Sequence, residues 1–285
     1  MALNILITGS NSGFGLLTAK KFAAAGHTVH ATLRNPDKGA ELQALREAGL
    51  PVTILQLDVT DPASIAKAVE AASRSAPIDA LVNNAGFEVR APVEQLSDAM
   101  FHRQFDTNVL GVVRMVRAVA PAMRARGQGR IVNISSVAGV IATPFAGAYS
   151  ASKHAVEALS ESLWYELAPF GVRVVIVEPG AFTTQFGQNI IPDPSFDESS
   201  PYAARFQQFQ DAMAGFRESG GVQNPQEVAD IVFEAVTDPD PKLRYLAGND
   251  ARMLAPLYRS MSFEQFATTM IGRLGVTGFP KLRVD

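Results

Sequence analysis

The order of apolar runs predicts an α/β domain, a doubly wound, mostly parallel sheet with helices on both faces. Three observations carry that expectation. Short runs rich in Ile, Val and Leu alternate with longer segments of helical character as far as residue 180. The first run passes straight into a turn holding Gly9, Gly13 and Gly15, and then into a helix. Gly9, Asp58, Asn84, Ser136 and Pro179 each stand just after an apolar run, so they gather along one edge of the sheet, where such sheets bind ligands.

The elements follow in order. Residues 3–7 form a strand and 16–25 a helix, with the glycine turn between them. Residues 27–33 are a second strand, 36–48 a helix and 51–57 a third strand. Asp61 caps the next helix and Pro62 takes its first position, where a missing N–H costs nothing. Residues 78–82 form a strand leading into Asn83-Asn84-Ala85-Gly86. One long helix is expected over 98–126 with Asn108 inside it; Val109 and Leu110 beside it leave an inward-facing role open. A strand over 129–134, a helix over 149–168 and a strand over 172–177 complete the alternation.

Composition narrows the possibilities. The chain has 285 residues, 47% of them hydrophobic and 19% charged, enough for a large core and unlike a disordered chain. A net charge of −3 gives no basic field for nucleic acid. With no Cys, disulfides, thiolate metal sites and Cys nucleophiles are excluded. The four His lack metal-ligand spacing, so no metal is expected. No stretch approaches the ~20 apolar residues of a membrane span. The first strand begins too early to leave room for a signal peptide, so a cytoplasmic protein is expected. Without repeats or a flexible linker, residues 1–285 read as one domain.

Two kinds of chemistry are written into this frame. Strand, glycine-rich turn and helix form the context of a dinucleotide-binding turn, where glycines let the backbone approach a pyrophosphate and the helix N-terminus supplies N–H groups. The spacing G-x-x-x-G-x-G is also compatible with a tight turn alone. Tyr149 and Lys153, four apart, lie on one helix face. An ammonium so close is expected to favour the phenolate and make Tyr149 a proton donor and acceptor near neutral pH.

Thr8-Gly9-Ser10-Asn11-Ser12-Gly13-Phe14-Gly15, Asn83-Asn84-Ala85-Gly86, Asn108, Ser136, Tyr149-x-x-x-Lys153 and Pro179-Gly180 resemble, in order, the short-chain dehydrogenase/reductase family over about residues 1–185. The resemblance implies a single Rossmann domain with a seven-stranded sheet and hydride transfer between a nicotinamide cofactor and an alcohol or carbonyl. It implies Tyr149 as acid/base, Ser136 (rather than Ser135) polarising the substrate oxygen, Lys153 on the nicotinamide ribose, and Asn108 holding a water of the proton relay. Cofactor contacts are implied at Gly9, Ser10, Asn11, Ser12, Gly13, Phe14, Gly15, Leu33, Arg34, Asp58, Val59, Asn84, Ala85, Gly86, Asn108, Tyr149, Lys153, Pro179, Gly180, Phe182 and Thr184, with Thr183 the alternative to Thr184. A homodimer or homotetramer through helices 98–126 and 150–169 is implied as well. Residues 29–34, 111–115, 223–229 and 243–245 look like the branch of 17β-hydroxysteroid and retinol dehydrogenases. In its steroid enzymes a lid His holds the far oxygen; residues 183–222 contain no His, which argues against a phenolic steroid.

The expected lid, about 183–222, carries Tyr202, Phe206, Phe209, Met213 and Phe216 at helical spacing. Such a stripe packs on a core or covers an apolar substrate. The second strand ends in Leu33, where NAD-using relatives place an acid, and Arg34 follows, suited to a 2′-phosphate. NADP(H) is therefore expected over NAD(H), with a bulky hydrophobic ketone or secondary alcohol as substrate. The alternatives are an NAD(H)-preferring dehydrogenase of the same family, a dinucleotide-sensing regulator without turnover, and an epimerase or dehydratase of a related branch using the same Tyr and Lys.

Overall fold

A computed structural model describes residues 1–184, 190–219 and 223–283, the side chains of 216–219 excepted. A seven-stranded sheet forms its centre, built from β1 (Asn4–Ile7), β2 (Thr28–Leu33), β3 (Val52–Gln56), β4 (Ala80–Asn83), β6 (Gly129–Ile134), β7 (Val172–Pro179) and β9 (Arg244–Ala247). Their spatial order is β3-β2-β1-β4-β6-β7-β9, and all six neighbouring pairs are parallel. The sheet is thus wholly rather than mostly parallel. Its interior strands read as unbroken apolar runs because both faces are covered.

Side-chain alternation divides the core in two. Ile5, Ile7, Ala80, Val82, Val132, Ile134, Val175 and Val177 point to one face. There they meet α1 (Gly13–Ala24), α2 (Ala40–Glu47) and α8 (Gln226–Thr237) through Phe22, Leu42 and Val232. Leu6, Leu81, Ile131 and Val174 point to the other, against α3 (Pro62–Ala72), α5 (Gly111–Arg126) and α6 (Gly147–Leu167), through Ile65, Met115, Met123 and Val156. Asp61 caps α3 as expected, accepting from the Ala63 N–H at 2.9 Å. The chain winds outward from β1 to β3, then crosses back to β4. The carboxyl ends of β1 and β4 therefore flank the switch point, where the sheet opens a crevice.

Two expected helices are interrupted. Residues 36–48 begin as a 3-10 turn, Pro36–Lys38, which Gly39 separates from α2. The long helix over 98–126 is α4 (Asp98–Phe105), a π turn (Asp106–Leu110) and α5. The extra residue of the π turn rotates Asn108 inward, where it is 1% exposed. A small second sheet was not anticipated: β5 (Glu88–Arg90) pairs in parallel with β8 (Ile190–Pro192). The chain continues through α7 (Ala203–Ser219), α9 (Asn249–Arg259) and α10 (Phe263–Leu274). Among the described residues no helix is long and apolar enough to cross a membrane.

His30, on β2 beside Leu6 of β1 and Thr53 of β3, is buried, and neither ring nitrogen has a partner. Burial holds its imidazole below the ordinary value of 6.5. The unfolded chain therefore takes up a proton as pH falls through 6.5, where the folded chain does not, and stability declines from 6.5 downward. Replacing His30 by Leu removes that contribution. The drop in Tm between about pH 7.5 and about pH 5.5 is expected to be smaller in His30→Leu than in the wild type. Thermal melts at both pH values check this, and an equal drop in both proteins refutes it.

Candidate active site

The crevice is floored by the turn between β1 and α1. Thr8 Oγ1 accepts from the N–H groups of Asn84 and Ala85, both at 3.0 Å. The Asn84 amide donates to the carbonyls of Thr8 and Gly9, both at 2.9 Å. The two loops are thereby drawn so close that side chains do not fit between them. A Cβ on Gly15 would stand 2.4 Å from the Gly9 carbonyl oxygen, and one on Gly9 2.9 Å from Ala85 Cα, with Gly9 already at φ 68°. Ser10 is wholly buried and spends its hydroxyl on the Ile7 carbonyl. Asn11, Ser12, Gly13 and Phe14 follow at the mouth of α1, whose first turn carries neither a capping side chain nor an acidic residue. Those N–H groups and the absence of a carboxylate fit a pyrophosphate.

Other expected cofactor residues surround this floor. Asp58 accepts from the N–H and hydroxyl of Thr60, at 2.9 and 2.8 Å. Val59 packs against Gly111, and Gly86 against Asn108. Pro179 ends β7, and Gly180 continues its ladder to Ala247. Phe182 meets Phe14 edge-to-face at 5.5 Å. Thr184 lies across from Gly13, whereas Thr183 is exposed. Gln223 reaches back to the Ala181 carbonyl at 3.0 Å and to Asp250 at 2.9 Å, and Asp250 accepts from the Ala181 N–H at 2.7 Å. Arg34 is exposed. Leu33 does not line the crevice as expected: it is 3% exposed and packs into the core beside Gly39. Its bearing on a ribose is the lack of a carboxylate.

Tyr149 and Lys153 lie on the first turns of α6, with Ser136 just beyond β6. The Ser136 and Tyr149 hydroxyls are hydrogen-bonded to each other. Ser136 Oγ also accepts the Ala138 N–H at 3.1 Å. Ser135 points the other way, toward Glu157. Lys153 Nζ donates to the Ile134 carbonyl at 2.8 Å and lies 5.7 Å from the Tyr149 ring centroid. Asn108 is fastened at both ends: its oxygen accepts the Phe87 N–H at 3.2 Å, and its amide donates to the Phe87 carbonyl at 3.0 Å and to Ser152 at 3.2 Å.

The expected effect of Lys153 on Tyr149 is corrected here. Burial and then the charge of Glu88 push the Tyr149 phenol above its ordinary value, against the Ser136 hydrogen bond. Lys153 is itself lowered to about 8 by burial, opposed by Glu157. The ammonium donates to the Ile134 carbonyl, and with burial and Glu88 acting on the phenol Tyr149 stays protonated through neutral pH.

Residues not singled out from the sequence complete the site. Glu88 is 7% exposed and pairs with Arg90 at 2.6 Å; Arg90 in turn donates to Gln210 of α7 at 3.1 Å. Charges two apart in a short strand share a face, which was the available signal. Phe145 has φ 63°, unusual for a residue with a Cβ. Its ring contacts Phe206 and Phe209 of α7, at 5.2 and 5.9 Å between centroids. Met213 borders the same cleft, while Tyr202 turns away to bond Glu94. Residues 185–189 and 220–222 of the expected lid, and the Phe216 side chain, lie outside the described residues.

Comparison with known proteins agrees with this geometry. A family profile described as "short chain dehydrogenase" matches residues 3–195. An uncharacterized oxidoreductase of Bacillus subtilis is 37% identical over 266 residues, covering 90% of this chain and 92% of the relative. Human 17-beta-hydroxysteroid dehydrogenase type 1 is 38% identical over 252 residues, covering 85% of this chain and 76% of the relative. A short-chain dehydrogenase structure from Streptomyces avermitilis superposes with a TM-score of 0.80 at 33% identity, over 96% of this chain and 98% of the other. Profile, relatives and fold coincide over most of the chain, which therefore belongs to the short-chain dehydrogenase/reductase family and is an oxidoreductase acting on CH–OH and C=O groups.

Proposed function

We propose that the protein interconverts a bulky apolar ketone and its secondary alcohol with NADP(H). The observation that carries this reading is the hydrogen-bonded Ser136–Tyr149 pair at the sheet's carboxyl edge, beside an aromatic helix docked on Phe145. Bound nicotinamide would give or take the hydride. The α1 turn, Asn84, Ala85, Asp58, Val59 and Thr184 would hold the cofactor, and Lys153 its ribose.

The chain's own residues account for the rest. As negative charge grows on a carbonyl oxygen, the Ser136 and Tyr149 hydroxyls donate to it. Tyr149 then delivers its proton, which suits a phenol held protonated at neutral pH. Lys153 and a water shared with Asn108 resupply that proton. In the opposite direction Tyr149 must first lose its proton, so alcohol oxidation is favoured by rising pH. Cofactor choice rests on Leu33 and Arg34: no carboxylate repels a 2′-phosphate, and an exposed guanidinium can meet it. Exposed Phe101, Leu110, Trp164 and Tyr165 along α4 to α6 support a homodimer or homotetramer through these helices.

Three measurements test the reading. Tyr149→Phe keeps the ring and is expected to lose at least ~100-fold in kcat with cofactor affinity retained; a near-wild-type rate refutes the assignment. Arg34→Ala is expected to weaken NADPH about tenfold, the loss of roughly one charge-assisted contact, and to leave NADH unchanged. Equal effects on both cofactors, or a wild-type preference for NADH, overturn the NADP assignment. Finally, kcat/KM is expected to be higher for a decalone-sized ketone than for acetone or a charged keto acid, and the reverse order would defeat the apolar-lid reading.

A further inference from the structure

Behind the reactive face of α6 lies a charged cluster that the proposed chemistry leaves unused. Glu157 sits one turn beyond Lys153 and is 8% exposed. Its Oε2 accepts Nε and Nη2 of Arg244, both at 3.2 Å. Arg244 comes from β9 and also pairs with Glu178 of β7 at 3.1 Å and with Glu161 on the surface. Glu178 is fully buried and takes a second cation, Arg259 of α9, at 3.3 Å. Two guanidinium groups therefore answer three carboxylates; burial pushes the Glu157 carboxyl above its ordinary range, opposed by the Ser135 hydroxyl and by Arg244, and Glu178 adds to the rise.

The remaining contacts of Glu157 face the catalytic side. The Ser135 hydroxyl is close enough to favour its carboxylate, yet neither Ser135 Oγ nor Glu157 Oε1 completes a hydrogen bond of standard geometry. Gly139, in the turn after Ser136, closes over both: a Cβ there would stand 2.7 Å from Ser135 Oγ and 3.1 Å from Glu157 Cγ. Lys153 is 7% exposed and its Nζ donates to a neutral carbonyl, so a counter-charge is needed to keep an ammonium there. Glu157 supplies it. The other ionisable groups packed around the pair are Tyr149 and Glu161 on α6, Glu88 on β5, Glu178 on β7, Arg244 on β9 and Arg259 on α9; β6 contributes only neutral groups there.

We propose that Glu157 is a positioning residue: clamped by Arg244, its carboxylate serves as counter-charge to Lys153 and props the turn that carries Ser136. The role rests on the proposed activity only for what Lys153 does in turnover. It differs from a mere staple between α6 and β9, which would need the ion pair but not the charge seen by Lys153.

The test reads Lys153 directly and does not require activity. The 13Cε resonance of Lys153 is titrated in the full-length protein, alongside the pH dependence of kcat/KM for ketone reduction. In the wild type Lys153 should titrate at about 8. In Glu157→Gln the Lys153 midpoint and the basic limb of the rate profile should both move down by about one pH unit. Glu157→Asp keeps the charge and shortens the reach; its midpoint should stay in place while kcat falls. A midpoint unmoved in Glu157→Gln overturns the proposal, as does one that moves equally in Glu157→Asp. Should Glu157→Gln fail to fold, Glu157→Ser takes its place: a Lys153 midpoint moved down supports the role, and an unmoved one overturns it. Absence of ketone reduction in the wild type with the Lys153 shift intact would sink the activity reading and leave the positioning role standing.

Discussion

The hydrogen bonds between Thr8 and the Asn84–Ala85 backbone, with those from the Asn84 amide to Thr8 and Gly9, are the constraint on which the structure depends. They join the ends of β1 and β4 across the place where strand order reverses. The backbone groups involved, the N–H of Asn84 and Ala85 and the carbonyls of Thr8 and Gly9, are costly if left unpaired. The glycines are a consequence of this closeness. Gly15 has no room for a methyl group because Asn84 and the Gly9 carbonyl already occupy it. The crevice is a gap held between two tied loops.

Electrostatics on the opposite wall follow from burial. A phenol and an ammonium share the first turns of one helix, yet burial shifts them toward their neutral forms: the phenol keeps its proton and the ammonium gives its up more readily. Carboxylates on two sides, Glu88 near Tyr149 and Glu157 beyond Lys153, oppose proton loss from each. The site in this form is poised as a proton donor. Helical spacing alone pointed to the reverse direction for Tyr149, because spacing reports proximity along the helix and is silent about solvent and about the partner that Ile134 provides.

Much of the architecture was legible because parallel strands, buried on both faces, must be continuously apolar, and the helices between them must be long enough to return. The strand at 129–134 and the cap at Asp61 are clear cases. What escaped was set by tertiary contact. The π turn at Asp106–Leu110 follows no local propensity signal, since Asn108 is drawn in by the Phe87 backbone and Ser152. Leu33 was legible as a missing carboxylate but not as a core residue, because its burial depends on Gly39 folding over it. Phe145 gave no warning of its left-handed backbone, which is set by its place between Ala91 and the aromatic face of α7. The motif residues were readable as a set because chemistry requires their types together; Glu88, Arg90, Glu157 and Arg244 were not, as charged residues ordinarily face solvent.

The bond from Gln223 to the Ala181 carbonyl, reinforced by Asp250, brings the two ends of the segment 181–223 together at the rim of the sheet. That segment is thus a closed excursion from the domain. Closing a flexible excursion costs only about 0.6 kcal/mol more for each doubling of its length. Closure by itself therefore sets only a weak limit on how long the excursion can be. A segment whose two ends are tied together can be resized with the sheet and the glycine turn beside Asn84 left untouched.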